Sequence, residues 1–496
     1  MLLPLLSLFL PLAWAAQVPF SRLSHVPTHG ISAISRVLEL GGALAKDTFV
    51  YTLSADGEGG YGGEVEIFVG IAEEERDRLT WAEAWEGREK ERGVRKLAGI
   101  REVGFEEESR SYIYAISLPS SSTSTPRHIT LSLLHTRPSV PHPPTLPQTA
   151  DSSQFMLWTG SLNLGLPVHS PPAELSIKVK TPTPRIRQHS VTNDDEKRWT
   201  SKLPTGSNTV SFSLRDLDDL PTKQWIGRVH YEASEPVIVF RNLERIVQVS
   251  HWGNSLGVSE AMTLVNAGPK LEGHFSRLAH QSALFLKRTT SLSHVLTSLS
   301  FVLPPSIKNP YYIDTVGNVS TSNFVPSIKP AINFPSMKDN KGYSRLDIFP
   351  RYPVLGGWNY SFEIGYDAPL DESLKYHDGK YVLSVPFLTP VKDVAVDGAR
   401  LEVRLPEGAT DIEVHTPFPV ESISTNEIRR TYLDTTGRPT IVITKTNCAD
   451  KHGMDIIITY KYSTTALLKK PLTVSAVLFG FFAFVIGLKR IEWVIG

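Results

Sequence analysis

Asn318-Val319-Ser320 and Asn359-Tyr360-Ser361 are the two Asn-x-Ser/Thr triplets in this chain with a residue other than proline in the middle. In a secretory lumen such a carboxamide accepts an oligosaccharide, so Asn318 and Asn359 are the candidate N-glycosylation sites. Other chemistry finds little support. Gly57-Glu58-Gly59-Gly60-Tyr61-Gly62 has the G-x-G-x-x-G spacing. A dinucleotide site needs a strand before that turn and a helix after it, whose N-terminus meets the pyrophosphate. Here a strand pattern follows and Glu58 would repel phosphate, so a glycine-rich hairpin is the better reading. The 15 histidines form no H-E-x-x-H or other close ligand cluster. His135, His169 and His274 read as surface or satisfied core groups, and His251, beside Trp252 and Gly253, as aromatic packing at a turn. The single cysteine, Cys448, excludes an intrachain disulfide and any multi-thiolate metal site. No G-x-S-x-G elbow and no P-loop occur. The residues predict no catalytic group, no metal and no cofactor.

The elements that must position these asparagines are strands. Glu64 to Val69, Leu401 to Leu405 and Ile441 to Thr444 alternate with period two and are rich in β-branched residues, the pattern of half-buried strands. With 36 prolines and 34 glycines, they favour antiparallel sandwiches over α/β folds. A content of 41% hydrophobic and 21% charged residues suffices for buried cores along most of the 496 residues. The 51 basic residues balance 51 acidic ones, which argues against a nucleic-acid partner. The expected fold is mainly β, with two antiparallel β-sandwich-like domains at 17–240 and 241–465. One exception stands out at 72–101, with eight acidic and eight basic residues. Glu74 with Arg78 and Glu86 with Lys90 have i,i+4 spacing, and Thr80 with Glu83 spells a capping box, so a solvated helical insertion is predicted. Prolines 138, 141, 143, 144 and 147 mark an extended edge or loop, and the polar stretch 190–223 reads as a linker or surface excursion.

Both ends carry apolar runs. Met1 to Ala16 is uncharged, and Ala13-Trp14-Ala15 offers a small-x-small cleavage pattern, so 1–16 reads as a signal peptide. Pro471 to Leu488 also lacks charge, and 18 helical residues span about 27 Å, enough for a thin bilayer. Lys469 and Lys470 precede this span while Lys489 and Arg490 follow it, so the positive-inside rule is indecisive and the signal must set orientation. The expectation is a single-pass type I protein. Its bulk lies in the lumen, a transmembrane helix covers 471–488, and a cytosolic tail, 489–496, is too short for a domain. Ala476, Gly480, Ala483 and Gly487 fall on one helical stripe, where small side chains would let a partner span approach closely.

Several segments of the second half resemble ribophorin I, subunit 1 of the eukaryotic oligosaccharyltransferase. They are Leu243-Glu244-Arg245, Val249-Ser250-His251-Trp252-Gly253-Asn254, Gly273-His274-Phe275-Ser276-Arg277, Tyr311-Tyr312-Ile313-Asp314 and Gly317-Asn318-Val319-Ser320-Thr321-Ser322. Pro350-Arg351-Tyr352-Pro353, Gly356-Gly357-Trp358, Leu405-Pro406-Glu407-Gly408-Ala409, Thr431-Tyr432-Leu433-Asp434-Thr435 and Gly437-Arg438-Pro439 continue the series. The likeness covers roughly residues 240–465 and is thin before that, and the short tail is similar to the shorter fungal-type members. The resemblance implies a non-catalytic subunit of an endoplasmic reticulum membrane complex. That complex moves a preassembled oligosaccharide from dolichyl diphosphate to asparagine in Asn-x-Ser/Thr of entering chains. The chemistry would belong to a many-pass subunit with a Trp-Trp-Asp motif and a divalent metal. This chain would scaffold that subunit and hold nascent polypeptides. Asn359, after a Gly-Gly-Trp turn, is expected to be accessible, and Asn318, inside a family-like motif, the more enclosed. A single-pass adhesion or receptor ectodomain of β-sandwich class is the alternative, and a self-contained luminal transferase or hydrolase the third reading.

Overall fold

The computed structural model describes residues 31–53, 65–87, 95–97, 100–106, 110–118, 128–148, 153–162, 174–192, 198–214, 225–286, 293–328, 342–431 and 434–490. The 1–16 segment, the Gly57–Gly62 turn, Lys90, His169 and the residues after Arg490 lie outside this set. Strands dominate, as the alternating pattern predicts. One eight-stranded sheet runs, in spatial order, Trp199–Lys202, Thr209–Leu214, Glu174–Lys180, Ile31–Leu40, Leu44–Leu53, His128–Thr136, Leu79–Glu86 and Arg95–Leu97. A second runs Gly317–Asn318, Lys308–Asp314, Asn359–Pro369, Ser255–Asn266, Ile238–Ser250, Ala395–Arg404, Arg438–Cys448 and Ser422–Arg429. Five smaller sheets of two to four strands complete the described residues. Most pairings are antiparallel, but Ile31–Leu40 with Glu174–Lys180, Thr145–Pro147 with Lys270–Glu272, and Ile238–Ser250 with Ala395–Arg404 are parallel.

Two large apolar clusters are buried, and no linker separates them. Val237 and Val239 face the first, whereas Ile238 and Phe240 face the second. Neighbouring strands repeat the alternation: Ala395 and Ala449 belong to the first cluster, while Val394, Val396 and Cys448 belong to the second. Successive side chains of a strand point to opposite faces, so one set of strand ends serves both cores.

The charged stretch 72–101 departs from the expected helix. A single helical turn, Glu73–Arg76, is followed by the strands Leu79–Glu86 and Arg95–Leu97. Charge pairs at helical spacing are weak, worth a few tenths of a kcal/mol each. Two tryptophans in eight residues favour a pleated surface. The strand also gains partners from the far half of the chain. The Trp81 ring meets Phe418 at 6.2 Å and His452 at 5.2 Å, both edge-on. Thr80 donates to the Asn447 carbonyl, and Asn447 Nδ2 donates to the Leu79 carbonyl at 3.0 Å. Thr80 is thus bonded within a strand and caps nothing. Burial pushes His452 down to about 3, so it packs there as a neutral ring. The stretch 190–223 is not a plain linker either, since it contains the strands Trp199–Lys202 and Thr209–Leu214.

Two arginines are buried with carboxylate partners. Arg36 is bidentate to Asp47, with Nη2 to Oδ2 at 2.6 Å, and also reaches Glu75 Oε1 at 3.3 Å. Arg245 donates to Glu260 Oε2 at 3.1 Å, Thr389 Oγ1 at 2.6 Å and Tyr366 Oη at 3.1 Å. Paired in this way, both charges escape the penalty of isolated burial.

Candidate functional site at the membrane-proximal junction

The helix Thr464–Arg490 is long and apolar enough to cross a membrane and buries none of its residues. It begins seven residues before the uncharged run, and those added turns tie it to the β-rich part of the chain. Ser463 caps it: Oγ accepts from Ala466 N at 3.2 Å, satisfying one of the unpaired donors of the first turn. Pro471 lies inside the helix and has no N–H, which leaves the Leu467 carbonyl without its helical donor. The Trp252 indole N–H supplies the missing donor at 2.7 Å.

Two carboxylates hold the two lysines that follow. Glu407 Oε1 accepts from Lys469 Nζ at 2.9 Å, Thr436 N at 2.8 Å and Thr435 Oγ1 at 2.7 Å. Burial alone would raise the Glu407 pKa, but the hydrogen bonds from Thr436, Thr435 and Lys469 outweigh it and hold the group well below the usual carboxylate range. Asp434 accepts from Thr431 N at 2.7 Å, sits 3.3 Å from Arg438 Nε, and pairs with Lys470. Burial likewise opposes its ionisation, and Lys470 with Thr431 lowers its pKa in spite of that. Gly408 lets the loop come close. Its φ is +90°, and a Cβ there would lie 2.9 Å from the Ala466 methyl.

Beside the junction His251 Nε2 bonds the Tyr460 hydroxyl at 2.8 Å and its ring meets Tyr381 at 4.9 Å and Tyr462 at 4.8 Å. Partial burial lowers its pKa, so the ring is a neutral packing group, as the sequence suggests. Sequence reasoning missed Trp252, Glu407 and Asp434 as a set. They lie in three separated segments of the ribophorin-like series, and only the fold brings them to one helix end.

Asn318 and Asn359 are both exposed, so Asn318 is not the enclosed site expected of it. They flank one loop: Arg351 Nη2 donates to the Asn318 carbonyl at 3.0 Å and the Tyr352 hydroxyl to the Asn359 carbonyl at 2.7 Å. The Ser361 hydroxyl is engaged with Thr263 Oγ1 at 3.2 Å inside a paired strand. Along the helix, a side chain added at Gly480 or Gly487 would meet no other part of the described chain within 4 Å, which leaves the stripe of Ala476, Gly480, Ala483 and Gly487 open at its two glycines.

Donor atoms of Asp47, Glu75 and His135 lie within 4.8 Å of one another, close enough to surround a cation. The Arg36 guanidinium holds both carboxylates there and puts its own positive charge where a cation would sit. The donor set fits a buried ion pair.

Fold and junction define a class: a β-rich protein latched to a membrane-length helix. The Ribophorin I family model matches residues 30–489, and the chain belongs to that family. Subunit 1A of the dolichyl-diphosphooligosaccharide–protein glycosyltransferase of Arabidopsis thaliana is 34% identical over 299 residues, covering 60% of this chain and 44% of that protein. Subunit 1 from Caenorhabditis elegans is 34% identical over 269 residues, covering 54% and 43%. Subunit 1B from Oryza sativa subsp. japonica is 32% identical over 290 residues, covering 58% and 57%. The chain thus spans about half the length of the curated relatives it matches. An M1 zinc metallopeptidase from Deinococcus radiodurans shares 11% identity over 45% of this chain and 42% of its own, with a TM-score of 0.25, a likeness that carries no argument.

Proposed function

We propose that this chain is a non-catalytic subunit of an oligosaccharyltransferase complex in the endoplasmic reticulum membrane. It is single-pass and type I, with 1–16 removed as a signal, the β-rich units 17–240 and 241–465 in the lumen, and 489–496 in the cytosol. There it scaffolds the many-pass catalytic subunit and holds nascent polypeptides near it, without a cofactor of its own. The observation that carries this reading is the family match across residues 30–489. The character of the buried carboxylates supports a structural role. Asp47, Glu260, Glu407 and Asp434 are each committed to an arginine or lysine, which suits latches better than poised acids or bases. Purification in mild detergent tests the reading. Co-recovery of a many-pass glycosyltransferase is expected, and the isolated chain should transfer no oligosaccharide to an acceptor peptide. A chain recovered alone, or one active by itself, overturns it.

The exposed carboxamides of Asn318 and Asn359 make both sequons acceptors in a lumen. Because Asn359 and Ser361 lie in a paired strand, the glycan must be added before that strand docks. Asn318→Gln and Asn359→Gln should each remove one glycan's increment from the gel mobility of the mature protein. Unchanged mobility after glycosidase treatment of the parent chain would refute both sites and the luminal placement.

The Ala476, Gly480, Ala483 and Gly487 stripe is proposed as the contact with a partner span. Gly480→Leu with Gly487→Leu keeps the helix apolar, so insertion should persist while co-recovery of the many-pass subunit falls. Undiminished co-recovery would assign the attachment to the luminal units alone.

A further inference from the structure

We propose that Trp252 lies in the interfacial layer of the bilayer crossed by the C-terminal helix, so that the β-rich part rests on the lipid headgroups. The inference depends on that helix being a membrane span, and the depth follows from its geometry. The Trp252 indole is hydrogen-bonded to Leu467, four residues before the uncharged run opens at Pro471. Four helical residues rise about 6 Å. The headgroup layer is about 5–7 Å thick on each side of a ~30 Å hydrocarbon core. The indole therefore sits at headgroup depth, where tryptophan and tyrosine concentrate because one end is apolar and the other wet.

Trp252 is nonetheless 58% exposed, although its one polar atom is already committed to the helix. Water gains nothing from the rest of that ring. Tyr376, 66% exposed, pairs with Tyr381 and through it with Tyr460, seven residues before Leu467, so it stands above the layer that Trp252 occupies. On the helix itself, Leu468 is exposed at the same level. Lys469 and Lys470 are occupied by Glu407 and Asp434, so the Trp252 ring, rather than lysines bound to lipid phosphates, makes the contact.

The test uses the full chain in phosphatidylcholine nanodiscs, with quenchers attached either at the lipid headgroup or near the acyl-chain terminus. Trp252→Phe should remove a share of the emission quenched from the headgroup and leave the share quenched from the acyl terminus unchanged. In that background Tyr376→Trp, at an exposed site where folding is not strained, should add emission that neither quencher reaches. If Trp252→Phe leaves both quenching profiles unchanged, the surface does not touch the bilayer. Retention of both variants in the membrane after alkaline carbonate extraction shows that the helix still spans. Failure of the interfacial contact is then separable from failure of the membrane span.

Discussion

Arg245→Ala is expected to cost about 3–5 kcal/mol of stability, because it strands the Glu260 carboxylate in the second core. Both side chains are nearly inaccessible, at 2% and 1%. Among the described residues Glu260 receives one further bond, from the Thr389 backbone N–H at 3.1 Å. Thr389 Oγ1 and the Tyr366 hydroxyl would lose their guanidinium partner in the same step. Thermal and denaturant unfolding of the detergent-solubilised chain read the loss directly. A drop below about 1 kcal/mol is what exposed pairs give, and would mean that water reaches Glu260. Arg245→Met combined with Glu260→Leu should recover most of the stability, since replacing both members of a buried pair by apolar residues is often neutral or better. That contrast separates the penalty of an orphaned charge from any net contribution of the pair.

The class of the fold was legible because strands leave a two-residue period. Leu401 to Leu405 alternates in the sequence and pairs on both sides in the structure, with Ile238–Ser250 and with Arg438–Cys448. The apolar span was legible for a comparable reason, as 18 residues without charge have few other uses. The stretch 72–101 was misread because its helical signals are local and small. The interactions that decide it, Trp81 on Phe418 and His452 and Thr80 on Asn447, reach across more than 300 positions. The junction was hidden for the same reason. Glu407 and Asp434 look like ordinary acidic residues beside threonines, and Trp252 like a turn aromatic. Their function as a latch depends on the helix starting at Thr464, seven residues earlier than hydropathy places it. Pro471 was the one local hint, since a proline within a helix announces a carbonyl four residues back that needs another donor.

Glu407→Gln should loosen this latch without unfolding either core. Glutamine keeps the shape but removes the charge that holds Lys469 and receives hydrogen bonds from Thr435 and Thr436. Hydrogen bonds to a charged group contribute roughly 1.5–3 kcal/mol each, so losing the charge on even one should speed local opening by about 10- to 100-fold. Amide hydrogen exchange across 464–470 measures that opening, and the amides of Ile441–Ile443 in the second core serve as the reference. The pH dependence has a definite sign. Glu407 is held below its ordinary value of 4.5, so its contribution is complete above that value and fades as pH falls toward the lower folded value. Asp434, held below 3.8, has the same sign. At neutral pH the latch is closed, and acid opens it. In Glu407→Gln the part of the acid response that belongs to Glu407 disappears, leaving only the step that belongs to Asp434. Exchange at 464–470 that is unchanged by the substitution and insensitive to acid would show that Trp252 alone holds the helix to the β-rich part. The lysine pairs would then be incidental to the junction.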